Sequence, residues 1–213
     1  MVCALAALMV CGAGDLPDGS LLFLEGSNKP VSTVTRSEYT HVALVRNIGG
    51  RPWVYEATPA KVRRVTLDTY LAELADQNRD RQERTRLWAY APRTAYSPRQ
   101  QTALARYTDA QIGRRYSVKG YLRGRDVDGI HCADFAATAL ESTGRFDVER
   151  GYAFSPGVLL QKVRGYYQPP HMVRYRQPPV TASVSWCERS WKQWAAAQRW
   201  CDWVAVEAWM FCW

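Results

Sequence analysis

The stretch DGIHCADFAATALESTG, Asp128–Gly144, carries a polar turn straight into an apolar, alanine-rich run that stops at a glycine. The run has the length and composition of a buried helix, and a glycine just past the last apolar residue is a common helix stop. Its first residue is the thiol Cys132. Two accounts of a thiol in that place compete. Cysteine is a small hydrophobe that packs well in a core. It is also a nucleophile, and the positive end of a helix favours its thiolate over its thiol. A base elsewhere in the chain would separate the two accounts.

Working outward from Cys132, the upstream half reads as adjacent strands. SLLFLEG follows a turn at 15–19, and THVALVRN, PWVYEAT, KVRRVTL and RLWAYAP come after it. All are short, β-rich runs, and Gly49-Gly50 punctuates the second and third as a hairpin. A short helix fits near Val31–Thr35. Leu67, Tyr70, Leu71 and Leu74 give 67–77 the spacing of an amphipathic helix. Ser97-Pro98 opens a further helix running towards Gly113, with Ser97 as cap, and Ser155-Pro156 opens another. Residues 114–130 read as a loop, and HMVRYR from His171 as a closing strand. Strands grouped early and helices interspersed later define an α+β class.

Three histidines make the search for a base short. His171 starts the closing strand, where a surface role is expected. His131 adjoins Cys132, and neighbours in sequence seldom aim their side chains at one point on a helix. His41, at the start of the strand THVALV, remains. Glu56 lies in the partner strand, and a register centred between Ile48 and Gly49 sets it opposite His41 on one face. A bulge would shift that register by one residue and turn a side chain to the other face. A lone histidine or glutamate on a strand is usually structural. Cys132, His41 and Glu56 taken together supply a nucleophile, an imidazole and an acceptor that orients it.

GDLPDGSLLFLEG, TRSEYTHVALV, VYEAT, GRRYS and IHCADFAATALESTG together resemble the circularly permuted NlpC-type, papain-like cysteine hydrolases of the YiiX-like group. The resemblance spans roughly 14–176, in the permuted order histidine, acid, cysteine. It implies an antiparallel sheet packed against helices, with the nucleophile at a helix N-terminus. It also implies Cys132 as nucleophile, His41 as base and Glu56 as orienter, with Tyr116 of GRRYS as an oxyanion donor or pocket wall. Ala133 and Asp134 stand where members of that group often carry serine and glutamate. The expected activity is cleavage of an amide bond in a peptide or a peptidoglycan fragment. A lipid ester hydrolase or acyltransferase on the same fold is one alternative, and a binding module with a structural cysteine is another. No cofactor is implied.

Composition narrows the rest. The 213 residues fit one domain over 14–178, preceded by an apolar segment 1–13 and followed by a tail 179–213. The net charge of +8 comes from scattered arginines, and no nucleic-acid-binding motif accompanies it, so no nucleic-acid partner is expected. Of six cysteines, Cys132 alone falls within the body of the domain, which argues against a disulfide framework there. His131 and Cys132 are too few ligands for a metal site. The segment 2–13 resembles the apolar region of an export signal, which favours export over a cytoplasmic location. Seven of the nine tryptophans lie between Trp186 and Trp213. Such a tail either contacts a membrane surface or lies outside the native fold.

Overall fold

A computed structural model describes residues 16–175 apart from 28, 80, 82–83, 126 and 149–150. The apolar N-terminal segment and the tryptophan-rich tail therefore lie outside the described residues.

Six strands form one antiparallel sheet: β1 (Leu21–Glu25), β2 (Tyr39–Ile48), β3 (Arg51–Ala57), β4 (Val62–Thr66), β5 (Arg86–Tyr90) and the two-residue β6 (His171–Met172). Their order across the sheet is β4-β3-β2-β1-β5-β6. Six helices accompany them among the described residues: α1 (Lys29–Thr35), α2 (Leu67–Gln77), α3 (Pro98–Ala110), α4 (Lys119–Arg123), α5 (Cys132–Glu141) and α6 (Pro156–Val163). The fold is mixed α+β. Helix starts follow their capping residues: Ser97 and Gln100 form a reciprocal capping box on α3, and the Ser155 hydroxyl accepts the Val158 amide at the start of α6. Two expected features differ. The segment expected to be a loop contains α4, and the closing strand ends after two residues.

The sheet is covered on both faces, which explains why β1 reads as an unbroken apolar run rather than an alternating one. Leu21, Phe23, Val42 and Leu44 pack on one face against Ala133, Ala136, Ala137 and Leu140 of α5 and Leu159 of α6. Leu22, Leu24, Ala43, Val45 and Val54 pack on the other against Leu67, Tyr70 and Leu74 of α2. The alanines of α5 have no accessible surface. Their small side chains let the helix sit close to β2 and β3, and a larger residue there would be overpacked.

Two backbone details set the position of the catalytic candidates. Gly49 and Gly50 both have positive φ, at 60° and 75°, as a two-residue hairpin turn of the primed type demands. Ile48 therefore pairs with Arg51, and Leu44 with Tyr55. The turn is centred one residue later than the sequence-based register placed it. Continued down the strands, this register sets Ala43 rather than His41 opposite Glu56. The partner has moved by two positions, an even number, so His41 and Glu56 still share a face. The second detail is a bulge in β2. Leu24 faces His41 but Glu25 faces Tyr39, which leaves Thr40 as the extra residue. The Thr40 hydroxyl bonds the Leu24 carbonyl at 3.3 Å and so ties the bulge down beside His41.

Candidate active site

His41 stands beyond the bulge on the α2 side of the sheet, and its Nε2 lies 2.7 Å from Glu56 Oε2. Glu56 is buried, at 4 % exposure, so its charge must be met within the protein. The other oxygen meets Arg63, which lies directly across from it on β4. Arg63 Nε donates to Glu56 Oε1 at 2.8 Å, and Nη2 lies 2.6 Å from the same oxygen. Burial pushes the Glu56 carboxyl up, but His41 and Arg63 outweigh it and hold the group below the ordinary carboxylate value.

Cys132 is the first residue of α5 and is 5 % exposed. Its thiol faces both His131 and His41. Burial alone would raise the thiol. The hydrogen bonds from His131 and His41, with the charge on both rings, bring it down to about 6. Burial likewise opposes a charge on His41, yet hydrogen bonds to Cys132 and Glu56 push the ring up to about 10. The two shifts together describe a thiolate–imidazolium pair. With Nε2 engaged by Glu56, Nδ1 is the ring nitrogen left to serve the thiol.

His131 is an exception to the helical spacing that sets sequence neighbours of Cys132 aside. Its backbone is extended, and it caps α5: Nδ1 accepts the Asp134 amide at 3.3 Å. Nε2 donates to the Tyr152 carbonyl at 2.9 Å. Both nitrogens are therefore engaged; burial opposes a charge on this ring, but the Cys132 thiol beside it pushes the ring up, so His131 stands as a second imidazole at the thiol and His41 as the candidate base. Extended cap geometry is what turns the ring back over the first helical turn, so the helical spacing rule that set this histidine aside does not apply to it.

Tyr116 is brought to the same place by a short parallel bridge with Ile130, two residues before Cys132. Burial and the neighbouring Cys132 charge push its hydroxyl up, so it stays a protonated donor. Gly129, at φ 101°, makes this approach feasible, because a Cβ there would come within 2.4 Å of Ser117 Cβ. A cavity of about 930 Å³ opens on the α2 side, with His41, Glu56, Arg63, Tyr70, Glu73 and Tyr116 on its wall. Cys132 is not on that wall. Tyr70 is 4 % exposed, and its hydroxyl has no hydrogen-bond partner among the described residues.

The structure thus brings together all four residues singled out from the sequence. Arg63 and Tyr70 were not singled out. Arg63 was legible in principle, because a tight turn after PWVYEAT puts it opposite Glu56. Nothing in the sequence marks Tyr70 as anything but the apolar face of a helix.

No protein-family model matches the chain, and no curated protein matches it either. Among solved structures, the metalloprotein YiiX of Escherichia coli O157:H7 is similar in fold, with a TM-score of 0.54 at 15 % identity. The match covers 76 % of this chain and 99 % of that one. The fold is therefore of the YiiX type, a mixed α+β architecture that the neighbour shares over almost its whole length.

Proposed function

We propose that the chain is a thiol-dependent hydrolase of amide bonds, papain-like in its chemistry and permuted in chain order. One observation carries the reading: a single imidazole, held on Nε2 by a buried carboxylate, presents its other nitrogen to a thiol at the first position of a helix. His41 Nδ1 takes the Cys132 proton, and the thiolate attacks the carbonyl carbon of the substrate. The oxyanion is stabilised by the positive end of α5 and by the Tyr116 hydroxyl. The imidazolium then protonates the leaving amine, which departs as the C–N bond breaks. Water, deprotonated by His41, cleaves the thioester and restores the thiol. Substrate enters through the cavity on the α2 side, past His41 and Tyr116.

YiiX is described as a metalloprotein, but that property does not transfer readily. Glu56 is already bound to His41 and Arg63, both nitrogens of His131 are engaged, and no three His, Cys, Asp or Glu side chains are placed to hold a metal ion among the described residues. No step above is routed through a metal.

The test is turnover of a panel of dipeptide amides, peptidoglycan digests and phospholipid esters, read by mass spectrometry. Amine release by the parent, lost in Cys132→Ser with the fold intact, supports the reading. Undiminished turnover by Cys132→Ser refutes it, and release from esters alone moves the activity to the lipid alternative.

A further inference from the structure

Glu56 has a difficulty that the triad by itself leaves unsolved. While His41 is an imidazolium, the buried carboxylate has a cationic partner 2.7 Å away. Once His41 passes its proton to the leaving group, the ring is neutral and that partner is lost. A buried carboxylate left without a counter-ion takes up a proton. As a carboxylic acid it would cease to be an acceptor only, and the ring could move its proton from Nε2 to Nδ1. A proton on Nδ1 would block the nitrogen that serves the thiol.

We propose that Arg63 is a positioning residue that keeps Glu56 anionic whichever charge His41 carries, and that Glu73 holds it in place for that task. The inference rests on the Cys132–His41–Glu56 reading. One edge of the guanidinium binds Glu56 Oε1 through Nε at 2.8 Å. The other edge reaches the α2 carboxylate, with Nη1 3.2 Å from Glu73 Oε1 and Nη2 2.5 Å from Oε2. Each carboxylate thus fixes the planar fork from one side, an arrangement that a lysine's single ammonium cannot reproduce. The groups facing Glu56 come from four elements: His41 on β2, Arg63 on β4, Tyr70 and Glu73 on α2, and Cys132 on α5 beyond the imidazole. Arg63 is the standing cation among them, since an arginine stays protonated throughout the accessible range while His41 cycles.

The experiment is the rate of Cys132 alkylation by iodoacetamide from acid to alkaline pH, with peptide mass mapping to isolate Cys132 from the other five thiols. It is run on the full chain, on Arg63→Gln and Arg63→Lys, and on both again in a Glu56→Gln background. Arg63→Gln is expected to raise the inflection by about one pH unit or more, because Glu56 then protonates in the neutral range and the thiolate loses its imidazolium. Arg63→Lys is expected to recover part of that shift. In the Glu56→Gln background Arg63→Gln should add nothing, since the charge it guards is gone. A purely structural arginine would change thermal stability equally in both backgrounds and leave the inflection alone. An unchanged inflection in Arg63→Gln, or the same shift with and without Glu56, overturns the inference. If Arg63→Gln does not fold, Glu73→Gln stands in, with a smaller shift in the same direction expected and no shift overturning the inference. His41→Ala separates the two levels. If it leaves the parent inflection unmoved, the reading of the site falls and this inference with it; if it moves the inflection while Arg63→Gln does not, only the role of Arg63 fails.

Discussion

Replacing His41 by alanine tests the chemistry of the site most directly, because both energetic influences on Cys132 act in known directions. In the intact protein the thiol sits at about 6, against about 8.5 for a free cysteine. At pH 6.5 roughly three-quarters of Cys132 is then thiolate, whereas an ordinary thiol would be about 1 % ionised. That is close to an 80-fold difference in nucleophile concentration. It is partly offset, because intrinsic nucleophilicity falls as basicity falls, and with a Brønsted slope of about 0.4–0.5 the thiolate is roughly 10- to 18-fold less reactive. The net advantage at pH 6.5 is therefore only about four- to eightfold, and it grows to roughly 16- to 29-fold at pH 5. Absolute rate is a poor readout, and the position of the inflection is the sensitive one. In His41→Ala the main charge facing Cys132 is lost while burial still opposes the thiolate and His131 still favours it, so the inflection should move up by about one pH unit or more. The assay is second-order alkylation across pH with mapping to Cys132. An inflection near 8.5 in the parent, unmoved in His41→Ala, would show that the thiol is an ordinary packed cysteine and that the helix position has no chemical consequence.

Other outcomes follow from particular contacts. Gly129→Ala should displace the Tyr116–Ile130 bridge and slow any Cys132-dependent turnover at least tenfold, read as kcat with folding checked by circular dichroism; an unaffected kcat would show that Tyr116 takes no part. Ala136→Leu, placed where α5 meets the sheet with no accessible surface, should cost about 1–3 kcal/mol in urea unfolding. Tyr70→Phe removes a buried hydroxyl without a partner among the described residues, so stability should stay within about 0.5 kcal/mol of the parent or rise, and a larger loss would reveal a partner for that hydroxyl. Glu56 is depressed by folding, so its contribution to stability is fully present above the unfolded value of about 4.3 and fades as pH falls through the folded value. The stability gap between the parent and Glu56→Gln should therefore narrow in acid, and a gap that widens below pH 4 contradicts the assignment.

Local chemistry made most of the secondary structure legible. Serine followed by proline marks the starts of α3 and α6, and the glycine pair marks the β2–β3 turn. These signals act within a few residues and need no knowledge of the rest of the chain. What the sequence hid depends on longer reach or on exceptions to local rules. The turn centre was misplaced by one residue because Gly49-Gly50 admits more than one register until the strands beyond it pair. The face shared by His41 and Glu56 survived because the displacement was even. Helix α4 was missed because its five residues contain two basic side chains and a glycine, too short for any periodicity to show. The extended backbone of His131 turns its ring back over the first turn of α5, an exception to helical spacing that no local signal announces. Arg63 became meaningful only through its cross-strand partner.

The placement of the three catalytic candidates along the chain also bears on when the protein can react. His41 and Glu56 belong to one hairpin, joined by a two-residue turn, so they meet through a contact that closes early and at small entropic expense. Cys132 lies more than 70 residues further on, and it reaches them only when α5 docks on the finished sheet. Until that docking the thiol has neither imidazole beside it and behaves as any free cysteine. A chain still emerging from the ribosome, or one locally unfolded at α5, thus carries a base with no nucleophile and a thiol with no activation. In the proposed triad, reactivity would be tied to completion of the fold, and a half-folded molecule would carry a thiol no more reactive than any other.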